Sequence, residues 1–408
     1  MSFKRGFFAC GVLLFSLIAH GEGKEDLTLR LSVGKAGLKD KTTTVAADVI
    51  SSCAMGKALS FSQMIKEMAN SRFVYVGETH DSLPMHGIQL DIIRSLYEQD
   101  SHLSIGLEMF PVTLQEVLNK WSLGLLTAEE FIREAKWYVT WNFNFAYYAG
   151  IFEFAKANKI PVYALNVPRE LITTIRMKGW ETLSDEEKKM APKPDLSNED
   201  HKKLIRTIFE ATDLPPQMKA HGSEMVFEGF YRAQAAWDEG MAHYAVRSSA
   251  KDGRRMVVLA GSGHLLYNLG INRRVFEKTG VPFKTVVCVE VENKTGSVDV
   301  SRSLADYVWG LPKEAKPVYP SVGLSFKEFD GLENLVIDKD PIDGVAKGQD
   351  FKKGDVVLDV DGRSFSSVNE LRTYLSRFQW DEKVTFRLLS EAKEKKVVLP
   401  FLFSADRP

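Results

Sequence analysis

The chain has 408 residues, of which 44% are hydrophobic, 26% charged and 11% aromatic, and its formal net charge is −1. That aromatic content, with no low-complexity run, excludes a disordered, collagenous or coiled-coil chain. The length allows two or three domains with real cores, and a near-neutral chain lacks the electrostatic footprint of a nucleic-acid binder.

Residues 1–21 read as a secretory signal peptide. Lys4 and Arg5 form its charged start, Phe7 to Ile18 is an apolar stretch of the usual length, and Ala19-His20-Gly21 puts small residues at the cleavage positions. The stretch is short for a bilayer span. Cys10 lies inside the apolar run rather than after it, which argues against a lipid anchor. Removing this leader, which carries no acid, takes the formal charge from −1 to −3. No later apolar run approaches a membrane span, so an exported protein of the periplasm or cell envelope is expected, without an integral membrane segment after cleavage. Outside the cytoplasm Cys53 and Cys288 could pair. Cys288, however, sits in the apolar run Phe283–Val289, and a buried free thiol is expected instead.

Residues 22–58 are polar with little periodicity and are expected to form a poorly ordered lead-in. Between residues 59 and 315 short apolar runs alternate with helical patterns. The runs are Phe73–Val76, Leu103–Leu107, Pro161–Leu165, Met256–Ala260 and Phe283–Val289. The helical patterns are Ile88–Tyr97, Phe145–Ala157 and Val226–Val246. Runs apolar throughout fit strands buried on both faces, and the alternation predicts an α/β domain with a doubly wound, mainly parallel sheet. Residues 180–220 read as a helical insertion with proline-marked bends. A composition break follows Trp309–Pro312, through Lys316–Pro320, and leads to a small β-rich domain over residues 316–408.

Ligands of such sheets bind past the carboxyl ends of the strands. There the chain places Glu78 and His80, then Glu108, then Asn166 and Arg169, then His264. Imidazole and carboxylate suit a divalent metal, with His80, Glu108 and His264 as its ligands, and they equally suit acid–base chemistry. A single histidine after a strand is usually structural, so the weight lies on the joint pattern. Glu78, His80, Glu108 and His264 are expected to form one site. His86, His102, His201 and His221 show no such placement and are expected to be surface or helix residues. Tyr231, Gln234, Asp238 and Met241 share one helix face, either solvated or turned to the rim. Nine aromatic residues from Trp137 to Phe154 offer walls for a flat apolar ligand such as a porphyrin, or simply a core.

Taken together, Gly77-Glu78-Thr79-His80-Asp81, Glu108-Met109-Phe110, Asn166-Val167-Pro168-Arg169, Ala233-Gln234…Asp238…Met241-Ala242 and Gly261-Ser262-Gly263-His264 resemble the ChaN-like haem-binding family of the Tiki and erythromycin-esterase-like superfamily, over roughly residues 55–312. The resemblance implies haem held as a cofacial pair in a homodimer, for iron acquisition or storage in a cell envelope. Glu78, His80, Glu108, Asn166, Arg169, Tyr231, Asp238, His264 and Tyr267 are the ligand-binding residues considered under it. Tyr231 and Tyr267 are the first choices for the iron, and Arg169 for the propionates. Hydrolytic relatives in the superfamily imply an alternative, a metal-assisted peptidase or esterase using Glu78, His80, Glu108 and His264.

The carboxy-terminal region, with Tyr319-Pro320-Ser321-Val322-Gly323-Leu324, Phe351-Lys352-Lys353-Gly354-Asp355 and Ser367-Val368-Asn369-Glu370-Leu371, is similar to a PDZ domain of the periplasmic serine-protease type. This likeness implies capture of protein or peptide C-termini, with Val322, Gly323 and Leu324 in the groove. No serine nucleophile motif accompanies it, so an interaction module is expected.

Overall fold

The computed structural model describes residues 25–211, 223–329 and 331–403; the leader at 1–21 and His221 lie outside them. These residues divide into two units. The first takes the described residues up to Gly124 together with Gly150–Lys313, and the second takes Leu125–Ala149 together with those from Glu314 onward.

The strands of the first unit are β1 (Thr42–Ala46), β2 (Ile50–Ser52), β3 (Lys57–Leu59), β4 (Phe73–Glu78), β5 (Leu103–Pro111), β6 (Val162–Asn166), β7 (Arg255–Gly261), β8 (Phe283–Val291), β9 (Ser297–Ser301) and β10 (Tyr307–Pro312). Its main sheet has the order β3-β2-β10-β8-β4-β7-β5-β6. Pairing is parallel from β10 to β6 and antiparallel at β2 and β3. Every residue of β4 is buried, as is β5 up to Phe110, which requires cover on both faces. Helices supply it: α1 (Glu25–Leu29), α2 (Phe61–Met68), α3 (Leu83–Gln99) and α4 (Gln115–Ser122). After α5 (Ala128–Glu134) and α6 (Trp137–Thr140), which belong to the second unit, come α7 (Ala149–Ala157), α8 (Arg169–Lys178), α9 (Asp185–Met190), α10 (Glu199–Ala211), α11 (Ser223–Asp252) and α12 (Ile271–Thr279).

Two expectations need correction. The described part of the expected lead-in, residues 25–58, is not loose, because β2 pairs with β10 and β1 pairs with β9, with Val45, Ile50 and Cys53 buried. Strand β10 ends at Pro312, with Trp309–Pro312 lying parallel to β8. The helical pattern at 145–157 breaks into a turn of 3-10 helix, Phe145–Tyr147, and then α7. Cys53 and Cys288 are buried and free.

The second unit carries β11 (Phe326–Lys327), β12 (Leu335–Ile337), β13 (Val356–Val360), β14 (Lys383–Ser390) and β15 (Lys393–Pro400), antiparallel in that order. Helix α13 (Val368–Leu375), capped by the Ser367 side chain, closes its core with Leu371 and Leu375.

Candidate functional site

Strands β4, β7 and β5 are neighbours, and Glu78 on β4 is in register with Gly261 on β7. The strand order therefore brings Glu78, His80, Glu108 and His264 together, and α11 adds Gln234 and Asp238. None of these six is more than 5% exposed.

On the β4 side, His80 Nδ1 lies 2.9 Å from Glu78 Oε1, and Gln89 Nε2 donates to Glu78 Oε2 at 2.7 Å. His86 joins them, with Nδ1 3.0 Å from Gln89 Oε1 and 3.5 Å from Glu78 Oε2. On the β7 side, the Gly261 N–H donates to Glu108 Oε2 at 2.6 Å, and His264 Nε2 lies 3.4 Å from Glu108 Oε1. His264 Nδ1 lies 2.5 Å from Asp238 Oδ1 and 2.9 Å from the Gln234 amide. The other Asp238 oxygen faces His201 Nε2 at 3.1 Å and Arg274 Nη1 at 3.5 Å.

Electrostatics follow the pairing. Burial alone would lower the His264 imidazole, but Glu108 and Asp238 flank it and push it up to about 10. Burial would likewise lower His80, yet the bond to Glu78 and the charge of Glu108 raise it. Burial would raise Glu108 and Asp238; the neighbouring imidazoles, with Arg274 beside Asp238, hold both below the usual carboxylate range. Glu108 and Asp238 stay ionised because imidazolium offsets their charge.

Among the other expected residues, Asn166 Nδ2 donates to the Glu108 carbonyl at 2.9 Å, and Arg169 is exposed at the start of α8. The two tyrosines named for iron need correction. Tyr267, at φ 60°, accepts from the Leu31 N–H and donates to the Thr28 carbonyl, each at 2.8 Å, so its hydroxyl is committed to the backbone. Tyr231 is buried against Phe227 and His201, with its hydroxyl 3.4–3.5 Å from the Asn198 and Leu196 carbonyls. Among the described residues no three His, Cys, Asp or Glu side chains are placed to hold an ion, since His80, Glu108 and His264 turn their donors to acid–imidazole pairs. The aromatic run is core. Trp137 packs on Phe145 and Tyr148 in the second unit, and Phe152 packs on Phe110 and Trp121 in the first.

His86 and His201, read as ordinary helix residues, belong to the network, as do Gln89 and Arg274. The signal for the first pair was available: His86 and Gln89 interrupt the buried stripe Met85, Ile88, Ile92, Ile93 and Leu96 of α3. A polar pair on a buried face needs partners.

Residues 64–275 match the sequence model of the family described as "Haem-binding uptake, Tiki superfamily, ChaN". The chain belongs to that family. Residues 320–400 match a PDZ domain, a peptide-binding kind of module. A curated relative, the chloroplastic protein RETICULATA-RELATED 5 of Arabidopsis thaliana, is 25% identical over 260 residues, 60% of this chain and 34% of the relative. The chain thus matches about a third of that protein's length. The solved structure described as cofacial heme binding to ChaN of Campylobacter jejuni aligns with TM-score 0.51 at 21% identity, covering 64% of this chain and 95% of that one. It shows the same fold. An erythromycin esterase mutant in its open conformation aligns at TM-score 0.40 and 12% identity, over 67% of this chain and 98% of that one.

Of the side chains named for it here, haem iron would take imidazole or phenolate. In this ChaN-family domain the buried network does not fit a macrocycle, because its imidazoles are closed in by carboxylates and its nearby tyrosines are committed elsewhere.

Proposed function

We propose that the chain is an exported haem-binding protein of the ChaN type, serving haem or iron acquisition or storage, with a PDZ module that captures protein C-termini. The observation that carries this reading is the family match over residues 64–275. Haem lies outside the buried network, against the rim, with propionates toward Arg169, and two chains pair their haems face to face. The leader at Lys4 to Gly21 supports export to the periplasm or cell envelope. No helix among the described residues is long and apolar enough to cross a membrane. Titration with haemin tests the reading: a Soret shift saturating at one haem per chain, with haem-dependent dimerisation by light scattering, is expected. A spectrum equal to that of free haemin overturns it. Cell fractionation, with the mature mass lacking residues 1–21, tests export.

A second reading is favoured by one observation, the imidazole of His264 held between Glu108 and Asp238. Such a group stores and delivers a proton, as a peptidase or esterase requires. Hydrolysis of p-nitrophenyl esters or peptides that disappears in Glu108→Gln supports it, and activity unchanged in that variant removes it.

A further inference from the structure

Residues 125–149 are an insertion between β5 and β6, the strands that end near Glu108 and Asn166, yet they belong to the second unit. There they pack on one face of α13. Helix α6 begins at Lys136 in the left-handed region without a side-chain cap, and the first N–H groups of a helix need acceptors from outside. Asn369 provides one from α13. The Tyr138 N–H donates to its Oδ1 at 3.0 Å, and its Nδ2 donates to the Ile132 carbonyl of α5 at 3.3 Å. One turn later Arg372 Nη1 donates to the Tyr138 carbonyl at 2.9 Å and to Asn142 Oδ1. A turn beyond, the Ser376 carbonyl accepts from Asn144 Nδ2 at 3.1 Å.

Residues 369, 372 and 376 form one helical stripe, while Leu371 and Leu375 enter the β-domain core from another. Arg372 makes no ion pair among the described residues, and burial lowers it to about 10. A guanidinium is tolerated there because insertion oxygens accept its hydrogen bonds. Farther along, the Tyr147 and Tyr319 rings meet edge to face at 4.9 Å, just before the loop Ser321–Leu324.

PDZ domains take a peptide as an added strand between a sheet edge and a helix. Here β11 is an edge strand, and Glu328, just past it, accepts the Val368 N–H of α13 at 2.8 Å. Helix α13 is thereby fixed to the peptide edge at its start and to the insertion along its flank. We infer that residues 125–149 are a working part of the peptide-binding domain, holding α13 in place. The insertion leaves the first domain after α4, which follows β5, and returns to it at α7, which leads into the start of β6, so peptide capture at β11 is linked through the insertion to the first domain. The second half of this inference rests on the haem reading of the first domain.

The test uses the full chain and a pool of fluorescein-labelled decapeptides ending in each apolar residue with a free carboxylate; amidated peptides serve as controls. Asn369→Ala and Arg372→Ala, each checked for unchanged thermal unfolding, should weaken the best peptide about 5-fold or more. Both should speed amide exchange in 137–144, and Arg372→Lys should recover part of the loss. Should a variant unfold, exchange in the wild type decides, since bound peptide should slow it in 137–144 as well as at β11. Unchanged affinity with unchanged exchange in 137–144 overturns the inference, as does a wild-type chain that binds no member of the pool. Saturating haemin should shift peptide affinity, and peptide should shift haemin affinity by the same factor. A Soret shift without any effect on peptide affinity overturns the linkage alone. No Soret shift overturns the haem reading and leaves the role of the insertion to the variants.

Discussion

Asp238 Oδ1 lies 2.5 Å from His264 Nδ1 within the first domain, where both side chains are buried. The pair joins the long helix α11 to the strand end of β7. Its remaining carboxylate oxygen is turned to His201 of α10 and Arg274 of α12. One acid thus fixes three elements around the His264 imidazole, and a single substitution there should be felt by all of them.

Asp238→Asn keeps the shape and removes the charge. Breaking a buried pair by neutralising one partner costs about 3–5 kcal/mol, because the other charge loses its compensation. The urea midpoint should fall accordingly. The His264 imidazole should also titrate lower, as followed by its ring-proton chemical shift. A variant as stable as the wild type would show that the carboxylate contributes nothing net.

The same pairing makes stability depend on pH on both sides. His264 holds its proton more tightly when folded, so its contribution is full below its ordinary value of about 6.5 and is lost as pH rises through about 10. Glu108 and Asp238 are held below their ordinary values. Their contribution is full above about pH 4.5 and is lost as pH falls through the lower folded values. The thermal midpoint should therefore be highest between about pH 4.5 and 6.5, declining to either side. In His264→Gln the alkaline decline should flatten. A wild-type midpoint that stays level from pH 6.5 to 10 contradicts the assignment.

Gly261 separates the two halves of the network. A Cβ built there would stand 2.9 Å from His80 Cε1, closer than atoms pack, and 3.3 Å from Nε2, a tight contact. Gly261→Ala should push the His80 ring away from Glu78 at a cost of roughly 1–3 kcal/mol, the usual price of overpacking. The His80 imidazole, raised by its bond to Glu78, should then titrate closer to its ordinary value. Imidazole titration of both histidines by NMR separates this local effect from one on His264.

The parallel strands were legible because β4, β5, β7 and β8 are buried on both faces and so read as continuous apolar runs. The strand-end motifs followed from them. Strands β1, β2 and β3 were not legible, since Thr42–Thr44 and Ser51–Ser52 carry polar side chains and the pairing partners β9 and β10 come about 250 residues later. His201 looked like any helix residue because its partner, Asp238, sits on another helix. Nothing local marks residues 125–149 as part of the second unit. The contact that places them, Tyr138 to Asn369, spans 231 residues.

Strand β6 ends the sheet of the first domain, and an open edge invites pairing with another chain. Gln115 of α4 covers it. Its Oε1 accepts from the Ala164 N–H and its Nε2 donates to the Val162 carbonyl, both at 2.9 Å, as a neighbouring strand would. Gln115→Ala should cost roughly 1 kcal/mol for the lost bonds and, by uncovering the edge, produce concentration-dependent association in sedimentation velocity without haemin. Gln115→Glu keeps the acceptor for Ala164 but sets a carboxylate against the Val162 carbonyl. It should be destabilised as well, yet remain unassociated because a charge at an edge opposes pairing. If both variants associate alike, loss of stability rather than the uncovered edge is the cause, and Gln115 is not an edge guard.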